Sequence, residues 1–393
     1  MALSGSISYP PATRRLRLGI VGGGRGALVG HWHWTGARIS NRWDLVAGAL
    51  SADPEVAKAS GRDWLLAQDR IYTDYTEMAR AEAARPDGIE AVAICTPNVS
   101  HRAIAEAFMK HGIDIICDKP ITMTPEDSDA LIALQAKTGL IFAITHPYTF
   151  HPMARQAREM VARGDVGSIR QCLVEYAQDW ATGPDDPNSK PQSWRRDPAK
   201  IGRASATGDI GTHSLHMIEF VTGLRVNKLR ADFHVCGAPK NMEDTAFISL
   251  RLENGAPASM WLSQAAPGNA CGLTFRIFGD KGALYWDQEN PEVLRFTPLN
   301  QPEQRIIRGH GAGVVPEAER MLRLPRGHGE SLSDAWGNLY TEIAIAVEAR
   351  RLGKKLPQGL LTLADVHEGA RGVRFIHAAA DSHEAGGIWT ELA

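Results

Sequence analysis

Short apolar runs alternate with helical stretches through the first third of this chain. Leu18, Ile20 and Val21 form one such run, which reads as a parallel strand buried on both faces. Further runs predict strands over 45–50, 71–72, 91–95, 114–117 and 141–145. Helices are predicted between them over 54–66, 75–84, 100–111 and 125–138, and Pro54 suits the first turn of its helix. Strand and helix in alternation build a doubly wound parallel sheet, so residues 1–146 are expected to form one complete α/β unit with six strands.

The pattern changes from residue 147 onward. A helix over 152–163 and a strand over 169–178 lead into a loop rich in Pro, Asp, Asn and Ser over 182–192. Strands over 228–235, 244–252, 258–263 and 274–279 then follow one another through turns, with no helix between them, which favours an antiparallel sheet. Helices over 332–351 and 362–380 close the chain. Residues 147–393 are therefore expected to form an α+β domain with one open, mainly antiparallel sheet. Its uncovered face is expected to meet another copy, as a homodimer or homotetramer.

The first strand pours into Gly22-Gly23-Gly24-Arg25-Gly26-Ala27. Gly22, Gly24 and Ala27 fit the G-x-G-x-x-G/A spacing of a dinucleotide-binding turn. The first glycine makes the turn, the second admits the pyrophosphate, and the small third residue lets the following helix pack closely on its strand. That helix aims free N–H groups at the phosphates. The first unit thus reads as a Rossmann domain, although a tight strand-to-helix turn without ligand has the same glycines.

Composition narrows the partners. At 393 residues the chain exceeds the ~100–200 typical of one domain. With 43 Lys and Arg against 45 Asp and Glu, the net charge is −2, so no broad basic field exists for nucleic acid or an acidic membrane surface. Cys95, Cys117, Cys172, Cys236 and Cys271 are scattered without a C-x-x-C pair and read as reduced thiols. Residues 1–14 read as a flexible lead-in without a signal-peptide core. No run reaches the ~20 apolar residues of a membrane span, and a cytoplasmic location is expected.

Three constellations lie where an α/β sheet presents its ligands, beyond the carboxyl ends of strands. Thr96-Pro97-Asn98 with His101 follows the fourth expected strand, and Asp118-Lys119-Pro120 follows the fifth. In the third, Asp209 and His213 are four residues apart; on a helix they would share a face, where a carboxylate can orient an imidazole acting as base. Each has a plainer reading as a loop lysine, a helix-start aspartate or a core histidine. His216 would extend the pair toward a metal set, but too few ligands stand nearby and no metal is expected.

Taken together and in order, these residues resemble the Gfo/Idh/MocA family of oxidoreductases, which includes glucose-fructose oxidoreductase and the inositol dehydrogenases. Trp194-Arg195 before the glycine-rich approach to residue 208, and Gly327-His328 before the late helix, extend the resemblance. It implies nicotinamide-dependent redox chemistry on a sugar or cyclic polyol. Lys119 would hydrogen-bond the reacting oxygen, His213 would act as acid/base, and Asp209 would stand beside it. Asp118 occupies the place where the family usually has glutamate. Tyr148, Trp194, Arg195 and His328 are the further expected substrate contacts.

The adenosine end leaves two cofactors open. Asp44 meets the usual spacing of about 20 residues past the glycines for the acid that binds the ribose, but it precedes its strand. Ser51 stands where the family's acidic residue is expected, and Asp53 either supplies the carboxylate or caps a helix. Ser51 with Arg25 would instead suit a 2′-phosphate. NAD is the expected cofactor and NADP the alternative. A keto-sugar reductase, an enzyme that retains its nucleotide and cycles between substrates, and a non-catalytic nucleotide sensor are the rival functions.

Overall fold

The computed structural model describes residues 9–186, 189, 194–311 and 313–392. Its first sheet consists of β1 (Leu16–Gly22), β2 (Trp43–Ala49), β3 (Ala91–Cys95), β4 (Asp114–Cys117) and β5 (Phe142–Ile144), in the order β2-β1-β3-β4-β5. All neighbours are parallel. The chain runs outward from β1 to β2 and then crosses to β3 on the other side. This leaves a crevice at the carboxyl ends of β1 and β3, where such sheets bind ligands.

The sheet has five strands where the apolar pattern suggested six. Ile71 forms one isolated bridge to Gly48, and Tyr72 N–H adds a bond to the Gly48 carbonyl. Asp74 then caps the next helix, so the chain leaves the sheet edge before a ladder can extend.

Helices α1 (Val29–Ser40), α2 (Pro54–Asp63), α3 (Tyr75–Ala84), α4 (His101–Met109) and α5 (Pro125–Thr138) alternate with the strands. Asp53, Asp74 and Thr124 cap α2, α3 and α5 by accepting backbone N–H groups.

The second sheet contains β6 (Ile169–Ala177), β7 (Val226–His234), β8 (Thr245–Leu252), β9 (Pro257–Ser263), β10 (Gly272–Gly279), β11 (Gly282–Asp287), β12 (Val293–Pro298), β13 (Gln304–Ile307) and β14 (Thr390–Glu391). Its order is β13-β12-β11-β10-β6-β9-β8-β7-β14. β6 and β9 pair in parallel, while the other neighbours are antiparallel. The apolar pattern did not single out β11, β12 or β13. One face of the sheet is covered by α6 (Pro152–Ala162), α7 (Thr212–Thr222) and α9 (Val366–Glu384), around a core that includes Val174, Met217, Met260, Phe275 and Phe375.

Helix α8 (Leu332–Arg351) packs on the first sheet instead. Its Trp336, Leu339, Tyr340 and Ile343 share a core with Leu18, Ile20, Ala93 and Ile116. The second half of the chain thereby supplies a covering layer for the first.

Residues 9–14, expected to be flexible, are tied down. Tyr9 donates to Glu342 at 2.7 Å, and Arg14 forks onto the buried Glu90. The rest of that lead-in lies outside the described residues, as does part of the polar loop over 182–192. Among the described residues, no helix is long and apolar enough to cross a membrane.

Candidate active site

A cavity of about 970 Å³ opens at the carboxyl ends of the first sheet. Gly22, Gly23, Gly24, Gly26 and Ala27 line it from the turn after β1. Gly22 and Gly23 have φ of +84° and +75°, a region that favours glycine. A Cβ on Gly24 would stand 2.6 Å from both the Leu50 carbonyl and Ser60 Oγ. Helix α1 starts with no side-chain cap and no acidic residue in its first turn. Its leading N–H groups therefore suit a pyrophosphate, and the glycine turn fits the dinucleotide expected there.

The adenosine side differs from expectation at two residues. The Asp53 carboxylate accepts Glu55 N–H at 2.9 Å and Val56 N–H at 3.1 Å, so it caps α2 and does not line the cavity. The Arg25 guanidinium grips Asp63 through two bonds, of 2.6 and 2.8 Å, on the exposed surface, and it too lies outside the lining. Ser51 does line the cavity, along with Thr73, Asp74 and Tyr75, which the sequence reading did not single out. Among the described residues, the only Lys or Arg in the lining are Lys119 and Arg195, and both bind Asp209. An NAD ribose suits such a site better than a 2′-phosphate.

Thr96, Pro97, Asn98 and His101 all border the cavity, yet three of them also brace it. Asn98 Nδ2 donates to the Ile201 carbonyl at 3.0 Å. The His101 ring bridges the Pro120 and Thr96 carbonyls at 2.9 and 2.8 Å, tying together the loops after β3 and β4. Thr96 Oγ1 accepts from Ser100 Oγ.

Asp118 is a hub. Its Oδ1 meets His33 Nε2 at 3.0 Å and accepts from Thr145 Oγ1 at 2.6 Å. His33 in turn meets the Tyr340 hydroxyl at 2.6 Å, so α8 reaches through α1 to hold the loop that carries Lys119.

Lys119 Nζ donates to Asp209 Oδ1 at 2.9 Å and also to the Asp209 backbone carbonyl. The other carboxylate oxygen accepts from Arg195 Nε at 3.3 Å and Gln264 Nε2 at 2.9 Å. Burial opposes ionisation of Asp209, but Lys119 and Arg195 beside it win and hold its carboxyl far below the usual range. Arg195 also lies over the Trp194 ring at 4.5 Å.

His213 shares the cavity but makes no hydrogen bond to Asp209 among those the structure shows. Residues Thr207–Gly211 wind as a π-turn. The Asp209 carboxylate is taken up by Lys119, Arg195 and Gln264, and the nitrogen partner of the His213 ring is His146. Burial and the nearby Lys119 push the imidazolium well below its ordinary range, with Asp209 pulling the other way, so His213 is neutral at pH 7.

Tyr148 lines the cavity, and its hydroxyl meets that of Tyr176 at 2.5 Å. His328 is exposed and outside the lining, correcting its expected place at the substrate edge. Tyr176, Gln178, Cys271, Gln288 and Trp336 line the cavity without having been anticipated. The signal available for Tyr176 and Gln178 was a polar end to an otherwise alternating strand.

Residues 16–146 match the family described as "Oxidoreductase family, NAD-binding Rossmann fold", and residues 154–285 match the GFO/IDH/MocA C-terminal domain. The chain is 33% identical over 386 residues to the uncharacterized oxidoreductase YfiI of Bacillus subtilis, covering 97% of this chain and 98% of that one. It is 28% identical over 346 residues to the levoglucosan dehydrogenase of Pseudarthrobacter phenanthrenivorans, covering 81% and 86%. An inositol dehydrogenase homolog from Azotobacter vinelandii, solved with NAD+ and with NADH and myo-inositol, superposes with TM-scores of 0.93 and 0.89. It is 32% identical, and the match covers 97% of this chain and 98% of that one. With the glycine turn, the Lys119 loop and the π-turn all bordering one cavity, these matches make the chain a member of the Gfo/Idh/MocA family of oxidoreductases, NAD-binding through its Rossmann domain.

Proposed function

We propose that this protein is a dehydrogenase that oxidises a secondary ring hydroxyl of a cyclic polyol or sugar, of the inositol or aldose type, to the ketone or lactone. The observation that carries this reading is that one cavity holds both the glycine turn and the Lys119, Asp209 and His213 cluster. NAD, when bound, supplies the hydride acceptor at its nicotinamide C4.

His213, neutral and in the cavity, takes the hydroxyl proton. The Lys119 ammonium stabilises negative charge developing on the reacting oxygen. Asp209 holds Lys119 and Arg195 in place between the two halves of the chain. Tyr148, Tyr176, Gln178 and Gln288 offer the hydroxyl and amide groups that a polyol ring requires, and Trp194 with Arg195 offers a flat wall for it. The inositol and levoglucosan relatives support the substrate class.

We divide the labour at residue 146, with the cofactor held by 1–146 and the substrate ring by 147–393, while Lys119 reaches across from the first unit to the reacting oxygen. The uncovered face of the nine-stranded sheet is the proposed contact of a homodimer or homotetramer.

The test is a spectrophotometric screen of inositols, aldoses and glycosides with NAD and NADP separately, following formation of the reduced nicotinamide. NAD-dependent turnover of at least one cyclic polyol is expected. Tight NAD binding without turnover across the panel would replace this reading with a nucleotide sensor.

A further inference from the structure

The His213 ring is held by a second histidine from a distant part of the chain. His146 directly follows the loop residue Thr145 after β5. Its Nδ1 lies 3.2 Å from Nδ1 of His213, and the two rings stand edge to face at 5.1 Å and 89°. His146 is only 4% exposed. It stacks on His216 with centroids 4.2 Å apart and planes 16° from parallel. That stack fixes the plane of His146 and so the direction in which its Nδ1 points. Asp209, to which helical spacing assigns the task of orienting His213, is engaged by Lys119, Arg195 and Gln264.

Two neutral imidazoles that face each other through Nδ1 share one proton, so one ring donates and the other accepts. We propose that His146 is a positioning residue that accepts the Nδ1 proton of His213 and thereby leaves His213 Nε2 as the unprotonated nitrogen offered to substrate. This inference rests on the reading of His213 as the base. The tautomer of a histidine is set by the bond made at its other nitrogen, and here that bond comes from a neutral ring. The same bond persists after proton uptake, since the His213 imidazolium still donates from Nδ1.

His146 must itself stay neutral for this. Burial and the groups facing it, His216 and His213 on α7 and Lys119 after β4, all disfavour its imidazolium.

The variant His146→Phe keeps a ring to stack on His216 but removes the acceptor. His146→Asn returns an acceptor oxygen near the position of Nδ1. On a substrate turned over by the parent, His146→Phe is expected to lower kcat by on the order of 10- to 100-fold, a share of the ~10²–10⁴ that a positioned base contributes. KM and NAD affinity should be unchanged, and His146→Asn should recover most of the loss. Parental kcat in folded His146→Phe overturns the proposal, and so does an Asn variant as slow as the Phe variant, which would reduce His146 to packing.

A second measurement needs no turnover: 15N NMR of the histidine-labelled parent, with and without NAD, should find Nδ1 protonated on His213 and unprotonated on His146. The reverse assignment overturns the proposal. The expected tautomers in a protein that oxidises no polyol would uphold the pairing and count against the functional reading alone.

Discussion

Replacing Asp209 by Asn tests the charge arrangement on which the site depends. The Lys119, Arg195 and Asp209 side chains are 16%, 15% and 18% exposed, so the two cations are largely removed from water around one carboxylate. Breaking a buried pair by removing one partner costs about 3–5 kcal/mol. Lys119 keeps its bond to the residue 209 carbonyl, and an Asn side-chain oxygen can still accept from Gln264, so the loss should fall at or just below the lower end, about 2–3 kcal/mol.

Lys119→Met alone should cost less, because Asp209 retains Arg195 and Gln264. In the double variant the two losses should overlap, giving a coupling of about 1–3 kcal/mol. Urea unfolding of the four proteins, followed by circular dichroism, measures it. Because the folded carboxyl is depressed, its contribution is fully present above the unfolded value of ~3.9 and is lost as pH falls through the folded value. The cycle should therefore be run at neutral pH. Asp209 also favours the His213 imidazolium, so Asp209→Asn should move the acidic limb of kcat/KM for oxidation to lower pH. A coupling below ~0.5 kcal/mol, or a limb that moves upward, would refute the assignment.

Gly24→Ala should reduce both thermal stability and NAD affinity, because its Cβ meets the Leu50 carbonyl and Ser60 at 2.6 Å; parental values for both in calorimetric titration and thermal scanning would count against the glycine-turn reading. Asp63→Asn should release Arg25 and narrow the preference for NAD over NADP, with unchanged relative affinities ruling out Arg25 as a latent 2′-phosphate ligand. In the parent enzyme, kcat/KM for oxidation should stay flat down through pH 6.5 and fall only at lower pH, since His213 must be deprotonated and its pKa is depressed; an acidic limb above pH 6.5 excludes it as the base. Phe247 on β8 is 54% exposed and opposite Trp261 on the uncovered sheet face, so Phe247→Glu should lower the mass found by light scattering, whereas a monomeric parent or an unchanged variant removes that face from assembly.

The first sheet was legible because its evidence is local. A strand buried on both faces must be a contiguous apolar run, and Ala91–Cys95 and Asp114–Cys117 appear in the structure with the expected bounds. The second sheet was harder to read, because one face is open to solvent. β12 alternates Leu294 with Arg295 and Phe296 with Thr297, and β13 is mostly exposed, so neither offers a run that stands out from a loop. Ile71 shows the opposite error, an apolar pair that reaches the sheet for one bridge only.

By itself the sequence determined the identities that chemistry requires: glycines at a phosphate turn, a lysine behind β4, and a carboxylate and an imidazole near residue 210. These follow from bond geometry within a few residues and hold wherever the chain folds. Tertiary structure decided which of them meet. Asp53 and Arg25 went to a helix cap and a surface ion pair, because Glu55, Val56 and Asp63 were nearer partners than the cavity. Asp209 met Lys119, from 90 residues away, and His213 met His146, from 67. Hydrogen bonds act over about 3 Å, a distance that sequence separation does not encode, so the partners of a buried polar group are settled only when the two halves of the chain close on each other.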